Sequence, residues 1–355
     1  MISIRQANEG DKARLIAFYE RNAGAEASER MERRWHWQWH LDPRLGEPGY
    51  RGVVAEWQGQ IVGSVSCLPA GLYLRGQPTP AVWLADVRID WALARQALRD
   101  IRSSGQGRGS GLSNGIAAAM FDHPAAGPIQ LGKHIAEPMM AICRRVGFAT
   151  APEAANHMRR TSFRWPLQKA LGRALGGLAA AIADPIVIRL PRPSLEVKPF
   201  EAAFDARFDR LWERARADYP AITLRSAAVL NWHYRAHPDT AYRALVVDDG
   251  PELRGYAVSR VSARKGRLIG RIVDLLAVRG DVEAVESLVA AALRQCRSEG
   301  AERTDIFATG ADLIAALSRI GFKPRLTKTK KVQPLLCRRL PDVPIYVTAG
   351  DGDGG

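Results

Sequence analysis

Cysteine is scarce in this chain. Cys67, Cys143, Cys296 and Cys337 are the only four in 355 residues, widely spaced and with no Cys-x-x-Cys pair. That excludes a disulfide framework and a thiolate metal centre, and reads as free thiols in a reducing cytoplasm. Long apolar runs are missing as well, so no membrane-spanning helix is expected. The nearest approach, residues 167–188, is interrupted by Arg173, Asp184 and Pro185. Residues 1–7 alternate as a strand does and lack the apolar core of a signal peptide. There is no Gly-x4-Gly-Lys-Ser/Thr, which removes a Walker-type nucleotide site. His36 and His40 share a helical spacing but have no Glu beside them in a His-Glu-x-x-His pattern, so no metal is expected.

Basic charge is in excess, at a formal +14. It is spread out: 20 Lys and Arg against 15 Asp and Glu in residues 1–160, 5 against 1 in 161–194, and 26 against 21 in 195–355. No sustained basic run interleaves with aromatics, so nucleic acid is not an expected partner. A generally basic surface favours anionic partners such as a coenzyme, an acidic glycan or a phospholipid surface.

What the chain does have is glycine in one telling place. Gln106-Gly107-Arg108-Gly109-Ser110-Gly111 runs into Leu112-Ser113-Asn114-Gly115-Ile116-Ala117-Ala118-Ala119-Met120, a glycine-rich turn opening a helix. Such a turn presents backbone N–H groups and the positive helix end to a phosphate, and glycine permits the close approach.

The first half supplies a context for that turn. A strand over 2–7 precedes a helix over 12–22, capped by Asp11 and closed by Gly24. Trp35, Trp37 and Trp39 stand at alternate positions and form either an aromatic face on a core or an aromatic wall for a substrate. Residues 53–57 and 61–66 form a hairpin turning at Gln58-Gly59. A strand over 81–90, an extra short helix within 91–105, a helix over 112–121, a strand over 127–132 and a helix over 136–146 follow. The last ends in Arg144-Arg145-Val146-Gly147-Phe148.

The hairpin, the Gln-x-x-Gly-x-Gly turn and the Arg-Arg-Val-Gly-Phe ending together resemble the GNAT N-acetyltransferase superfamily. The resemblance implies an acetyl-CoA or other acyl-CoA co-substrate. Its pyrophosphate would sit on Gln106, Gly107, Arg108, Gly109, Ser110 and Gly111, and its pantetheine arm on the strand backbone at Val87, Arg88 and Ile89. It also implies a carboxylate base, for which Asp86 is the first candidate and Glu56 the second. The family's general-acid tyrosine falls at Cys143, either a thiol donor or a packing cysteine. The helical stretch within 91–105 departs from the family pattern, where the turn follows the strand at once.

The order repeats after a basic, Ala/Gly/Pro-rich linker over 161–194, whose one helix (167–183) either lies on acidic lipid or braces two domains. Trp232, Tyr234 and Pro238 repeat Trp37, Trp39 and Pro43 at an offset of 195. The second copy has only Arg279-Gly280-Asp281 where the glycine turn should be. The expected fold is therefore α/β (α+β): two tandem GNAT-like domains, each a mixed, mostly antiparallel sheet flanked by helices. Domain 1–160 carries the acyl-CoA site, 195–345 is degenerate, and 346–355 is a tail resembling an ending of GNAT-like proteins associated with polysaccharide synthesis. Two Asp in the tail are too few for calcium. The seven Lys and Arg within 323–339 read as a solvated strand face.

These features point to an acyl-CoA-dependent N-acyltransferase acting on an amine of a sugar, small molecule or protein. The alternatives are a non-catalytic tandem module binding a glycan or protein, and aminoacyl transfer of the FemAB kind.

Overall fold

Strand β1 (Ser3–Ala7) leads through a 3-10 turn into α1 (Lys12–Ala23) and α2 (Ala25–Trp39), which divide at Gly24, φ 86°. Then come β2 (Gly52–Trp57), β3 (Gln60–Pro69), β4 (Leu72–Leu74), β5 (Gln77–Thr79) and β6 (Ala81–Ile89). After them follow α3 (Trp91–Ser103), α4 (Gly115–Asp122), β7 (Ile129–Gly132), α5 (Glu137–Arg145) and β8 (Ala149–Thr150). This computed structural model describes residues 1–103, 115–133, 135, 137–151, 154–325 and 335–352. The β2–β3 hairpin turns where the sequence asks, with Gln58 at φ 49° and Gly59 at φ 76°. Two successive left-handed residues give the turn whose twist matches a hairpin.

The chain divides into two units. The first is built on a sheet of order β1-β2-β3-β6-β7-β17-β8, in which β17 is Leu336–Arg338. Its core gathers Val53, Val62, Val65, Cys67, Met120, Phe121, Cys143 and Phe148, with Leu336 of β17. The extra stretch after β6 is a genuine helix. Asp90 accepts from the Leu93 N–H at 3.0 Å, and α3 buries Ala94, Ala97 and Ile101 in that core.

The three tryptophans lie on α2, not on a strand, so positions two apart point to different sides. Trp35 and Trp39 are one turn apart and pack on Tyr50, with ring centroids 4.9 and 4.7 Å away. All three tryptophans are buried. They are core, and the reading as a substrate wall falls away.

The second unit contains β9 (Ala155–Arg160), α6 (Arg164–Leu171), α7 (Arg173–Val187), β10 (Lys198–Phe200), α8 (Ala206–Arg216), β11 (Ala221–Thr223) and α9 (Ala227–Tyr234). It continues with β12 (Arg243–Asp249), β13 (Glu252–Arg264), β14 (Arg267–Ala277), α10 (Val282–Ser298), β15 (Arg303–Ala308), α11 (Ala311–Arg319), β16 (Lys323–Pro324) and β18 (Ile345–Tyr346). Its large sheet has the order β10-β12-β13-β14-β15-β9-β16, and a small one runs β18-β11-β4-β5. Phe200, Phe204, Phe208 and Tyr256 pack between α8 and the large sheet, the closest pair of rings 4.7 Å apart.

The units are not cut where composition changes. Strand β9, within the sequence-defined domain 1–160, pairs antiparallel with β15, from Arg160↔Arg303 to Ala155↔Ala308. Segment 161–194 belongs to the second unit, and residues 335–343 belong to the first. There β17 fills the place between β7 and β8, with Cys337 opposite Leu131 and Ala149. The expectation of a solvated strand face over 323–339 fails at its end. Arg338 is buried, paired with Asp122 at 2.5 Å and donating to the Phe121 carbonyl at 3.1 Å. The presumed tail likewise packs inward: Tyr346, Val347, Thr348 and Ala349 are all buried.

Candidate functional site

Strand β6 is where the first unit departs from regular sheet geometry. Against β3, Ser66 faces Ala85 and Ser64 faces Arg88, so Asp86 and Val87 together stand opposite Val65. That is a bulge, with Asp86 at φ 49°. A left-handed non-glycine residue costs roughly 1 kcal/mol, and Asp tolerates it better than most. Surrounding groups hold it there. The Tyr19 hydroxyl on α1 donates to the Asp86 carbonyl oxygen, and Tyr50 and Ser66 hydroxyls lie 3.1 Å apart. The Ser64 hydroxyl is near both phenols without a well-aligned hydrogen bond among the described residues. Burial pushes both phenols well above the ordinary tyrosine range, so both keep their protons at neutral pH. The Asp86 and Arg88 side chains are exposed, while Ile89 is buried.

On its other edge β6 leaves its neighbour. The parallel pairing to β7 covers only Ala81–Trp83 against Ile129–Leu131, while β6 runs on to Ile89. Among the described residues no strand pairs with β6 on that side beyond Trp83. The strands part beside a buried donor: Trp83 is 2% exposed, and its Nε1–H has no acceptor among the described residues. A backbone edge that no strand covers among the described residues suits an extended ligand carrying amides.

The other expected site residues separate. Glu56 lies at the hairpin end of β2, beside Ile61. That is four residues along β3 from Val65, about 13 Å at ~3.3 Å per residue. It accepts from Arg5 at 2.7 Å and from Arg14 at 2.6 Å. The Arg5 hydrogen bond, with Arg14 beside it, holds its carboxyl below the usual range. Glu56 thus belongs to a cluster in which Arg5 also binds Asp11 at 2.6 Å, and it cannot share a reacting amine with Asp86.

Cys143 is 1% exposed in the core, and burial pushes its thiol up to about 11. It stays protonated at neutral pH and packs in the core with Met120, Phe121 and Phe148. Gln106, Gly107, Arg108, Gly109, Ser110 and Gly111 lie outside the described residues. Among the described residues no group of His, Cys, Asp and Glu could hold a metal.

The second unit carries the same position in another state. Asp86 precedes by three the residue facing Gly63, which is Ile89, and Asp274 precedes by three the residue facing Gly255, which is Ala277. Asp274, 3% exposed, binds Arg225 at 3.1 Å and accepts from Tyr256 and Thr348 at 2.8 and 3.0 Å. Arg225 also binds Asp351 at 2.8 Å. Here the carboxylate is consumed by a buried structural network.

Reading from sequence missed Tyr19, Ser64, Ser66 and Tyr50. Tyr19 was legible only as part of an apolar helix face, and the serines only as strand residues.

No known family's sequence profile matches the chain, and no curated protein does. Solved structures do match. A GCN5-related N-acetyltransferase from Anabaena variabilis aligns at 14% identity with a TM-score of 0.58, over 95% of this chain and 72% of that one. The N-myristoyltransferase of Saccharomyces cerevisiae, with bound myristoyl-CoA, aligns at 11% and 0.54, over 95% and 82%. A GCN5-related N-acetyltransferase from Kribbella flavida aligns at 15% and 0.53, over 96% and 72%. The chain has the GNAT fold, as two tandem domains.

Proposed function

We propose that this protein is an acyl-CoA-dependent N-acyltransferase whose donor site lies in the first unit. The observation that carries the reading is the parting of β6 from β7 after Trp83, directly before the Asp86 bulge. The edge at Val87, Arg88 and Ile89 takes the pantetheine amides, and residues 106–111 take the pyrophosphate. The acyl-CoA supplies the thioester. The amine nitrogen forms the new bond to the carbonyl carbon as the carbon–sulfur bond breaks. The exposed Asp86 carboxylate receives the ammonium proton, and the thiolate takes its proton from solvent. Asp274 is buried and bound to Arg225, which supports a structural role for the second unit.

Calorimetric titration with CoA and acetyl-CoA tests the donor site. Binding at micromolar to submillimolar ligand, lost in Gly109→Glu, is the expected result; no binding at about 1 mM overturns it. Release of the CoA thiol with a panel of amino sugars, small amines and peptides then identifies the acceptor. Parallel titrations with acetyl-CoA and longer acyl-CoAs fix the chain length.

A further inference from the structure

Helices α6 and α7 form a hairpin that wears its apolar residues on the outside. On α7, Leu175, Leu178, Ile182 and Ile186 are 66%, 62%, 61% and 70% exposed. At spacings of three and four they form one stripe along a helix of about 22 Å. The inward positions are small. Gly176 and Ala180 are buried, and a Cβ on Gly176 would stand 2.4 Å from the Gln168 backbone of α6. A helix that served only to fill a core would show the reverse arrangement.

The hairpin base is fixed to its unit. Asp184 accepts from the Phe163 N–H at 2.7 Å. Arg159 donates to the Arg189 carbonyl at 2.7 Å, and the Arg267 guanidinium lies 4.4 Å from the centre of the Trp165 ring. The outward stripe is therefore a held feature of the fold.

Charge says what the stripe meets. Segment 161–194 carries Arg164, Lys169, Arg173, Arg189 and Arg192, all exposed. Its one acid, Asp184, is buried. Three of the cations precede the stripe or stand at its start, and two follow it. Trp165, 40% exposed, sits beside the first group with Lys169 over its ring at 5.5 Å. An apolar stripe flanked at both ends by Arg and Lys, with an aromatic at one end, suits a surface that is apolar within and anionic at its face. A protein groove would supply the apolar part, but nothing on this segment offers an acid to a mixed-charge partner.

We propose that the α6–α7 hairpin docks the protein on an anionic phospholipid surface. Leu175, Leu178, Ile182 and Ile186 enter the acyl boundary, and the five cations lie among the headgroups. The helix lies in the interface and does not cross it: no helix among the described residues is long and apolar enough to span a membrane. This docking is independent of the acyl-transfer chemistry.

Co-sedimentation of the full chain with vesicles tests it, comparing phosphatidylcholine alone with phosphatidylcholine containing about one third phosphatidylglycerol. The anionic vesicles should bind at least tenfold more strongly, and raising salt from about 0.05 to 0.5 M should abolish most of that preference. L178E/I182E should lose binding to both vesicle types. R173E/R189E should lose mainly the anionic preference, about fivefold per charge. All four positions are exposed, and unchanged circular dichroism and melting would confirm intact folding; a milder L178S/I182S pair repeats the test if the first variant is unstable. Absence of binding to anionic vesicles overturns the proposal, as does binding that the folded variants leave unchanged. So does a dimer in solution that L178E/I182E separates, since the stripe would then belong to a second copy.

Discussion

The backbone role of Asp86 and its proposed role as base can be separated by substitution. Its left-handed backbone, φ 49°, suits Asn nearly as well as Asp. Asp86→Asn should therefore keep the melting temperature within about 2 °C and lower kcat about a hundredfold, since the proton acceptor is gone. Asp86→Val should add a loss of roughly 1–2 kcal/mol, because a β-branched residue resists that backbone. Wild-type turnover in Asp86→Asn would remove it as the base. Cys143 makes the opposite case: its buried thiol, pushed up to about 11, is a packing group. Cys143→Ala should leave kcat within about twofold while lowering stability by about 1 kcal/mol, and a tenfold loss of kcat would restore the proton-donor role. Asp11 sets a pH dependence. Its carboxyl is lowered to about 2 by hydrogen bonding to Arg5, against an ordinary 3.8. A depressed acid stabilises the fold above its unfolded value and loses that contribution as pH falls through the folded one. The melting difference between wild type and Asp11→Asn should be constant above about pH 5 and shrink as pH falls toward about 2.

At the scale of elements, the sequence was most legible where structure is local. The β2–β3 turn, the hairpin strands and α5 all stand near their expected places, because turn chemistry and apolar periodicity act within a few residues. The helix in 91–105 was visible in Leu93, Leu98 and Ile101, though not that it buries Ala94 and Ala97 in the core. The bulge at Asp86 was not legible, because it exists only as a register between β3 and β6. The second copy shows what the same place becomes when it is closed. Arg225 and Asp274 are buried together, with Asp351 also bound to Arg225, and removing one partner strands a charge in the core. Asp274→Ala should destabilise by about 3–5 kcal/mol, measured as urea unfolding. At temperatures where the variant stays folded, CoA affinity should be unchanged. Lost affinity in the folded variant would mean that the second unit helps to hold the donor.

On the scale of the whole molecule, the repeat in the sequence suggests two halves cut near residue 160, and the strands deny it. Strand β9 closes the sheet of the second unit, and β17, some 180 residues later, completes that of the first. Such long-range pairings leave no periodic mark, since a three-residue strand such as Leu336-Cys337-Arg338 looks like any apolar fragment. They also change what counts as a domain. A fragment of residues 1–160 would lack β17, so β7 would lose its antiparallel partner, Gln130 and Asp122 would lose Arg338, and Leu336 would leave the core. Each unit therefore depends on chain that the other half of the sequence supplies. Fragment 1–160 should unfold without a cooperative urea transition and bind no CoA. Adding a peptide of residues 335–343 in excess should restore part of both, because it returns the missing strand. A fragment 1–160 that melts cooperatively and binds CoA as tightly as the full chain would show that β17 is dispensable, and that the boundary drawn from composition is the true one.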